Sequence, residues 1–330
     1  MKERGALVEF VGSTSGIEQD LVPRAGYTLH AIPLAAFAGN PITQTRAALL
    51  SIKALATCTR IIQQLRPLAV LGVGGYASAP AVISARTLGV PTYLHEQNSV
   101  PGRLNRLASR FTRETLVTFP EAEGRLKNSV RVGMPTRVEI FGASREEALS
   151  DLGLEPPVVL IFGGSGGALR INLAAAEAFR GATPYTIVHV SGRRDFARLQ
   201  TDNPRHRTLD YVDDLWRYLA AADVVVSRAG AGSLFDIAAA GKAAILIPFP
   251  YATGDHQLHN ARYFTENGAA EMMLDAEVGA WPLRRSVEAL LEDDERRQQM
   301  GRRMYALATP GAAGEVAERL LRTTEKELGT

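Results

Sequence analysis

Short apolar, β-branched runs alternate with longer helical patterns along the whole chain. Near-continuous apolar strands separated by helices are typical of parallel sheets that are covered on both faces. Each half of the chain is therefore predicted to be a doubly wound α/β domain that binds ligands at the carboxyl ends of its strands. The strand candidates are 6–11, 68–73, 91–95 and 114–119 in the first half, and 158–162, 186–190, 208–212, 223–227 and 243–248 in the second.

The length of 330 residues fits two domains, each large enough to bury its own core. A linker is predicted at 137–155, where Gly and Pro punctuate a charged and weakly patterned segment. This places a first domain at 1–136, a second at 156–311 and a final segment at 312–330. We expect a cleft between the two domains.

The composition, with 46% hydrophobic and 22% charged residues, is that of an ordinary globular protein. The single cysteine, Cys58, lies in an apolar helical pattern, which indicates a buried small side chain rather than a reactive thiol and suits a reducing cytoplasm. No signal-peptide core opens the sequence, and no apolar run approaches the ~20 residues of a membrane-spanning helix. We expect a protein that is neither exported nor membrane-spanning.

Charge is distributed unevenly between the halves. Residues 1–150 hold 17 Lys and Arg against 11 Asp and Glu, whereas residues 151–330 hold 20 against 24. No carboxylate occurs between Asp20 and Glu96, an interval that carries six Lys or Arg residues. Such a surface in the first half favours anionic partners.

Three glycine-rich turns follow predicted strands, at 72–77, 163–168 and 228–233. Each precedes a helix, so free backbone N–H groups and the positive helix end are suited to a phosphate. One such turn is equally explained by a tight strand-to-helix connection, but three in one chain favour a nucleotide. A nicotinamide cofactor is less favoured, because Ser191-Gly-Arg-Arg194 stands where its ribose needs an acidic residue. A phosphorylated dinucleotide remains an alternative.

The turn at 228–233 leads directly to Asp236. Ser233 and Asp236 have capping-box spacing, which predicts a structural role at a helix N-terminus. In the functional alternative, the helix end binds a diphosphate and Asp236 accepts hydrogen bonds from ribose hydroxyls. Gln257 and Asn260 open a later helix and are expected near the same crevice, where polar side chains suit sugar hydroxyls.

Seven motifs occur together in the order found in one enzyme family. They are Gly12-Ser-Thr-Ser-Gly-Ile-Glu18, Gly72-Val-Gly-Gly-Tyr76, His95-Glu-Gln-Asn98, Gly133-Met-Pro-Thr-Arg137, Gly163-Gly-Ser-Gly-Gly-Ala168, Arg228-Ala-Gly-Ala231 and His256-Gln-x-x-Asn260. This set resembles the MurG family, the N-acetylglucosaminyltransferases of peptidoglycan synthesis, over essentially the whole chain. The resemblance implies a GT-B fold: two doubly wound, Rossmann-like domains face a cleft, and a C-terminal helix crosses back to the first domain.

The resemblance also implies a reaction. N-acetylglucosamine passes with inversion from UDP-N-acetylglucosamine to the C4 hydroxyl of the N-acetylmuramyl group of lipid I, undecaprenyl-pyrophosphoryl-MurNAc-pentapeptide, giving lipid II and UDP. The first domain is expected to face the acceptor and the membrane, and the second to bind the UDP-sugar. No metal is expected, because glycine loops and helix ends hold the diphosphate in this family. No cofactor and no nucleic-acid partner are expected either.

The predicted donor contacts come from the family motifs and from the crevice that they line. They are Asn98, Arg137, Ser165, Val212, Arg228, Ala229, Gly230, Ala231, Gly232, Ser233, Leu234, Asp236, Gln257 and Asn260. Asp236 stands where the family usually has a glutamate, whose side chain is longer by one methylene. The ribose contact is therefore expected to be longer or displaced.

The family begins with a strand and a Gly-Gly-Thr-Gly-Gly-His loop whose histidine is its proposed general base. The sequence shown opens on what resembles the second strand, so we expect this loop to be missing and transfer by residues 1–330 to be weak. Tyr76, His95 and Glu96 lie in segments expected to face the cleft and are candidate catalytic groups. A structural role explains His95 equally well, and the sequence assigns no catalytic base.

The segment 42–65 is expected to dock the protein on an anionic membrane surface, as a peripheral protein on the cytoplasmic face. Arg46, Lys53 and Arg60 recur every seven residues and form one basic stripe beside leucine and isoleucine side chains. A packing helix with a solvated basic edge explains the same pattern. Docking is favoured because the lipid-linked acceptor that the resemblance implies stays in the bilayer.

Two further functions remain open at this point. Another GT-B enzyme that glycosylates diacylglycerol or a natural product is disfavoured by the motifs between 72 and 98. A catalytically impaired paralogue or fragment that binds a UDP-sugar without turnover is favoured by the expected lack of the first glycine loop. Assays with the alternative acceptors distinguish these functions.

Overall fold

The structure, a computed structural model, describes residues 5–34, 41–164 and 167–328. The chain divides into two compact units. The first comprises Met1–Gly133 with Gly314–Thr330, and the second comprises Met134–Ala313.

The first unit contains two parallel sheets. The strands of the smaller sheet are β1 (Glu9–Ser13) and β2 (Thr28–Ile32). The larger sheet has four strands in sequence order: β3 (Val70–Gly72), β4 (Thr92–Glu96), β5 (Glu114–Val117) and β6 (Ser129–Arg131).

Helices connect these strands. They are α1 (Glu18–Arg24), α2 (Pro41–Leu65), α3 (Gly75–Thr87) and α4 (Arg103–Ala108), followed by a 3₁₀ turn at Pro120–Ala122. Ala54, Cys58 and Ile62 recur every four residues on α2 and are buried, so one stripe of this helix faces the core. Burial raises the pKa of the Cys58 thiol to about 11, which confirms the prediction of an unreactive, buried side chain.

The second unit contains one six-stranded parallel sheet. Its strands are β7 (Val158–Phe162), β8 (Thr186–Val190), β9 (His206–Leu209), β10 (Val224–Ser227), β11 (Ala243–Leu246) and β12 (Glu271–Met272). Their spatial order is β12-β11-β10-β7-β8-β9. This is the doubly wound order of a dinucleotide-binding domain, and it confirms the predicted fold class.

Eight helices of the second unit are described, together with 3₁₀ turns at Phe196–Arg198, Thr253–Asp255 and Asp275–Glu277. The helices are α5 (Val138–Phe141), α6 (Arg145–Leu152), α7 (Leu169–Ala178), α8 (Leu215–Ala221), α9 (Ala231–Ala240), α10 (His256–Glu266), α11 (Ala280–Glu292) and α12 (Asp294–Ala306). All five residues of β7 are buried, as expected for a strand covered on both faces. Each fully buried Val or Ile contributes roughly 1.5–3 kcal/mol to the free energy of unfolding.

The last helix, α13 (Ala312–Leu328), packs on the first unit. Val316 and Leu320 join the buried cluster around Tyr93, whose hydroxyl donates to the Arg319 carbonyl oxygen at 3.3 Å. The Arg319 guanidinium pairs with Glu114 of β5 at 3.0 Å. Apolar packing and one ion pair thus hold the C-terminal helix on the first unit, as predicted.

Several elements differ from the sequence prediction. The short strands β2, β6 and β12 were not predicted, and β9 begins at His206 rather than at Thr208. The segment 137–155, expected as a linker, forms α5 and α6 in the second unit. Within the described ranges, no helix combines the length and the apolar character that crossing a bilayer requires.

Candidate functional site

The sheet of the second unit has a switch point between β7 and β10. From this pair, β8 and β9 extend to one side and β11 and β12 to the other. Ser227 at the end of β10 pairs in register with Phe162 at the end of β7, so the two following turns start at the same level. In open parallel sheets, the crevice above such a pair is where ligands bind.

The turn after β7 requires glycine at two positions. A Cβ on Gly163 would lie 2.4 Å from the Cβ of Ala168, where no atom fits. Gly167 has a φ of 70°, and a Cβ there would lie 3.0 Å from the Ser191 carbonyl oxygen. The turn is therefore packed closely against the loop that follows β8. Ser165, a predicted donor contact, lies outside the described residues.

The turn after β10 leads into α9 with an open helix end. Gly230 is the N-cap residue and provides no side-chain cap. The first intrahelical bond runs from the Leu234 N–H to the Gly230 carbonyl oxygen. The N–H groups of Ala231, Gly232 and Ser233 find no acceptor among the described residues, and a Cβ on Gly230 would meet no atom within 4 Å. An anion can therefore approach these N–H groups directly.

The predicted capping box at Ser233 is wrong. A capping box needs Ser233 at the N-cap, but α9 already begins at Ala231. Ser233 is therefore the third residue of the helix, and Asp236 lies in the second turn, out of reach of the first N–H groups. Helix capping therefore does not explain Asp236, and its contact with a ribose stays a prediction.

Asp236 is a half-buried carboxylate with no hydrogen-bond donor among the described residues. Burial raises its pKa to about 6, and the positive charge of Arg137 opposes that shift only in part. An unsatisfied carboxylate in such a position is destabilising unless a ligand supplies donors. Its environment therefore suits a pair of hydroxyl groups.

Arg137 and Val212 lie on the same side of the second unit. The Arg137 guanidinium donates to the carbonyl oxygen of Asp213 at 2.9 Å, which ties it to the residue after Val212. Because Arg137 also acts electrostatically on Asp236, these predicted residues share one region. The half-buried Val212 follows β9 and offers an apolar surface there.

Gln257 and Asn260 brace the turn after β10. The Gln257 Oε1 accepts from the N–H of Ala229 at 3.2 Å and from the N–H of Phe249 at 3.0 Å. The Asn260 Nδ2 donates to the Ala229 carbonyl oxygen at 3.2 Å, and Asn260 is completely buried. Asn260 therefore acts from behind the turn. Gln257 is less buried, and its Nε2 has no acceptor among the described residues.

Arg228 braces the loop after β11. Its guanidinium donates to the carbonyl oxygens of Ile247 and Pro248, both at 3.2 Å, and pairs with Asp275 at 2.6 Å. It also lies 5.4 Å from the ring centroid of Phe249. Ala229 and Leu234 are fully buried. The Ala229 N–H donates to Gln257 and the Leu234 N–H donates to the Gly230 carbonyl oxygen, so these predicted positions shape the turn rather than offer donors to a ligand.

His256 was not predicted as a site residue. Its Nδ1 lies 2.9 Å from the Thr253 carbonyl oxygen, so Nδ1–H donates and Nε2 is left as an acceptor. His256 opens α10 directly before Gln257, and the preceding residue, Asp255, has a φ of 53°. A non-glycine residue in the left-handed region often marks a functional loop. The signal in the sequence was the position of His256 at the head of the His256-Gln-x-x-Asn260 motif.

The first-unit candidate His95 has a structural environment. Its side chain is only 3% exposed, and its Nε2 lies 3.1 Å from the Gly133 carbonyl oxygen, to which it donates. Burial lowers its pKa, so the ring is neutral. The ring therefore fixes the connection after β6 and is shielded from a substrate hydroxyl.

Glu96 is also buried, and its carboxylate organises the loop that follows β4. It accepts from the N–H groups of Asn98 and Gly102, both at 3.0 Å, and from the Asn105 Nδ2 at 2.8 Å. Asn98 thus lies in the first unit, on a loop that Glu96 holds in place. Tyr76 lies in the first turn of α3, and its side chain is outside the described residues. These contacts favour structural roles for His95 and Glu96.

Metal ligands do not cluster in the part of the chain that the structure describes. Its His, Cys, Asp and Glu side chains form no group of three that could hold an ion. In the second unit, the groups that converge on the switch point are backbone N–H donors, one carboxylate, one amide and one imidazole. Together they can bind an anionic group beside several hydroxyls.

Comparison with known proteins gives the same picture. Residues 1–117 match the glycosyltransferase family 28 N-terminal domain, and residues 158–315 match the C-terminal domain of that family. A curated relative from Rubrobacter xylanophilus is 63% identical over 97% of this chain and 96% of its own length. Another from Halothermothrix orenii is 34% identical over 94% of this chain and 90% of its own length. Both are named UDP-N-acetylglucosamine--N-acetylmuramyl-(pentapeptide) pyrophosphoryl-undecaprenol N-acetylglucosamine transferase.

Solved structures share the fold. The crystal structure of MurG from Acinetobacter baumannii superposes with a TM-score of 0.74 at 26% identity, covering 97% of this chain and 92% of that one. A kitacinnamycin glycosyltransferase gives a TM-score of 0.66 at 20% identity, with the same coverage of 97% and 92%. The second likeness supports the fold alone.

Proposed function

The chain belongs to the MurG family within glycosyltransferase family 28, and from this premise we propose that it transfers N-acetylglucosamine from UDP-N-acetylglucosamine to N-acetylmuramyl-(pentapeptide) pyrophosphoryl-undecaprenol. The observation that carries the proposal is the identity of 63%, over 97% of the chain, to a curated transferase with that activity in its name. The family models for both domains support the same function.

The second unit binds the donor at its switch point. The diphosphate sits at the open N-terminus of α9, where the N–H groups of 231–233 point at it and the helix dipole favours negative charge. When the bond between the sugar C1 and the diphosphate oxygen breaks, negative charge grows on that oxygen. The same N–H groups are already oriented to stabilise it, which lowers the barrier to loss of UDP.

Other side chains bind the ribose, the uracil and the sugar on either side of the diphosphate. Asp236 accepts hydrogen bonds from the ribose hydroxyls, and the apolar surface at Val212 lies beside the uracil. The Nε2 of His256 accepts from a sugar hydroxyl, while the Nε2 of Gln257 donates to another. Gln257 also fixes the turn after β10, so it couples the sugar to the diphosphate anchor.

The acceptor loses the proton of its hydroxyl as the new bond to the sugar C1 forms. Neither His95 nor Glu96 is placed to take that proton, because both are 3% exposed and engaged with backbone groups. The base is therefore left unassigned. The inversion of configuration that the resemblance implies remains a prediction.

The first unit carries the membrane-docking surface on α2. Leu49 and Ile52 are 64% and 66% exposed, and the exposed Lys53 lies beside them on the same face of the helix. Arg60 is exposed two turns further along, whereas the side chain of Arg46 is outside the described residues. Exposed leucine and isoleucine beside Lys and Arg suit an anionic lipid surface, where each basic residue contributes about 1 kcal/mol.

An acceptor panel tests the proposed function. Purified protein is incubated with UDP-N-acetylglucosamine and either a lipid I analogue or diacylglycerol, and the glycosylated lipid is quantified. We expect transfer to the lipid I analogue only. Transfer to diacylglycerol but not to the lipid I analogue would assign the chain to a different glycolipid pathway.

Sedimentation with liposomes tests the docking surface. We expect binding to vesicles that contain anionic phospholipid and little binding to neutral ones. Replacing Lys53 and Arg60 with glutamine should weaken binding about 30-fold, whereas the matched pair Lys127→Gln and Arg131→Gln should not. If both double variants lose the same amount of vesicle binding, the net charge of the first unit, and not the surface of α2, determines binding.

A further inference from the structure

A basic depression lies at the edge of the second unit opposite the donor turns. It occupies about 600 Å³ at the amino ends of β10 and β11, where α12 crosses them. This volume is within the range of small-molecule sites. None of the predicted donor contacts lines it.

Four cationic side chains line this depression against one carboxylate. The cations are Arg145, Lys242, Arg297 and Arg302, and the carboxylate is Asp223. They come from α6, from the start of β11 and from α12, so three separate elements bring positive charge to one place. Like charges gathered in this way repel each other unless an anion joins them.

Contacts within the protein use only some of the available donors. The Lys242 Nζ donates to the Ala220 carbonyl oxygen at 2.8 Å, and Arg145 pairs with Asp223 at 2.8 Å. Arg297 donates to the carbonyl oxygens of Leu290 and Leu291 and pairs with Asp294 at 2.5 Å. Arg302 has no ion-pair or hydrogen-bond partner within the described part of the chain. The lysine ammonium keeps two further donors.

Lys242 has a lowered pKa at this position. Burial is the main cause and the positive charge of Arg145 adds to it, while Asp223 opposes the shift, and the resulting pKa is about 8. Arg297, Arg302 and the phenol of Tyr305 also face the depression, from α12. A bound anion would reverse this effect and raise the lysine pKa.

The floor of the depression is rigid, and one wall is aromatic. A Cβ on Gly301 would lie 2.5 Å from the Gly241 carbonyl oxygen, so α12 packs on the end of α9 without space between them. Tyr305 lies one turn beyond Gly301 and is 51% exposed. Its ring is available to stack on a planar group beside the cations.

We propose that this depression binds a phosphate-bearing small molecule of nucleotide size, with its phosphates on Lys242 and Arg302 and its ring on Tyr305. The site is separate from the donor site and does not depend on the proposed function. Several cations that converge from different elements, with unused donors, are typical of phosphate recognition. A nucleotide and an inorganic polyphosphate both offer the phosphate chain that the cations recognise. A nucleotide is favoured because its base can also stack on the exposed ring of Tyr305.

Isothermal titration of the full chain tests this site. UDP is present at one equivalent, which fills the donor site and leaves the second site open, and ATP or inorganic triphosphate is added without magnesium. We expect ATP to bind with one-to-one stoichiometry and more tightly than inorganic triphosphate. Arg302→Gln should weaken ATP binding about tenfold, whereas the matched control Arg303→Gln, on the same helix but outside the lining, should not. No binding, or equal losses in the two variants, overturns the proposal.

A proton-uptake measurement gives an independent readout. At pH 8, binding should protonate Lys242, so the measured heat should differ between Tris and HEPES buffers according to their ionisation enthalpies. Tyr305→Ala should reduce the affinity for ATP but leave that for inorganic triphosphate unchanged. Heat that is independent of the buffer in the wild-type protein would show that Lys242 is not part of the site.

Discussion

Replacing Asp236 with asparagine is expected to weaken UDP binding. The substitution keeps the shape of the side chain but removes the charge and turns one acceptor into a donor. Hydrogen bonds to a charged group contribute about 1.5–3 kcal/mol, which corresponds to roughly a 10- to 150-fold increase in the Kd for UDP. Binding to the wild-type protein should become tighter as the pH rises through about 6, because the ionised carboxylate accepts both ribose hydroxyls.

The same substitution is expected to stabilise the protein without ligand. Burial raises the pKa of Asp236 from 3.8 to about 6, so the folded state holds this proton more tightly than the unfolded state does. The stability that this proton contributes is fully present at a pH below the pKa of Asp236 in the unfolded state. It is lost as the pH rises through the pKa of Asp236 in the folded state. A pKa rise of about 2 corresponds to roughly 3 kcal/mol of lost stability, and Asp236→Asn should regain most of it near neutral pH.

Titration calorimetry with UDP and thermal unfolding from pH 4 to pH 8 measure both effects on the same samples. Glu295→Gln removes an equal charge at an exposed position and serves as the control. The Asp236→Asn variant should melt higher than the wild type at pH 7.5 and at the same temperature near pH 4. An unchanged Kd for UDP together with a lower melting temperature at pH 7.5 would show that Asp236 neither binds the ribose nor destabilises the unliganded protein.

Two further substitutions separate bracing from catalysis. Gln257→Ala removes the acceptor that the N–H groups of Ala229 and Phe249 share. It should raise the Kd for UDP-N-acetylglucosamine, measured by titration calorimetry, at least about tenfold. A change in kcat with an unchanged Kd would contradict the bracing role. Glu96→Gln places an amide N–H₂ group where the carboxylate now accepts from the loop donors of Gly102 and Asn105. It should lower the free energy of unfolding, measured by thermal melting, by about 2–3 kcal/mol. The pH profile of kcat should keep its shape. Loss of one limb of that profile without destabilisation would make Glu96 the base.

The fold of the second unit could be predicted because its strands are apolar on both faces. Val158–Phe162 and Thr186–Val190 have the predicted bounds, since every side chain there except the half-buried Val190 is buried. By contrast, β9 begins at His206, which is buried beside His189 and so occupies a core position despite its polarity. Burial lowers the pKa of His206 to about 4 and keeps it neutral. A hydropathy pattern does not reveal such a residue.

The candidate site could be predicted in outline but not in its internal roles. Glycine turns and the family motifs predicted a site at the carboxyl ends of the strands, and the turns after β7 and β10 start side by side there. The sequence could not show that α9 begins at Ala231, because several small residues at 229–233 suit a helix start equally well. It also could not show that Asn260 is buried and His256 is not, since both are polar residues on one short helix and only the packing of α10 distinguishes them.

Product stoichiometry with the purified chain shows whether it transfers N-acetylglucosamine to the lipid-linked acceptor. Radiolabelled UDP-N-acetylglucosamine and a lipid I analogue are incubated together, and labelled lipid and released UDP are quantified over time. We expect equal amounts of labelled lipid and UDP, formed only when the acceptor is present. Both amounts should fall strongly in Asp236→Asn when the donor is below saturation. UDP binding without acceptor-dependent release, or release of UDP without labelled lipid, would contradict the proposed transfer.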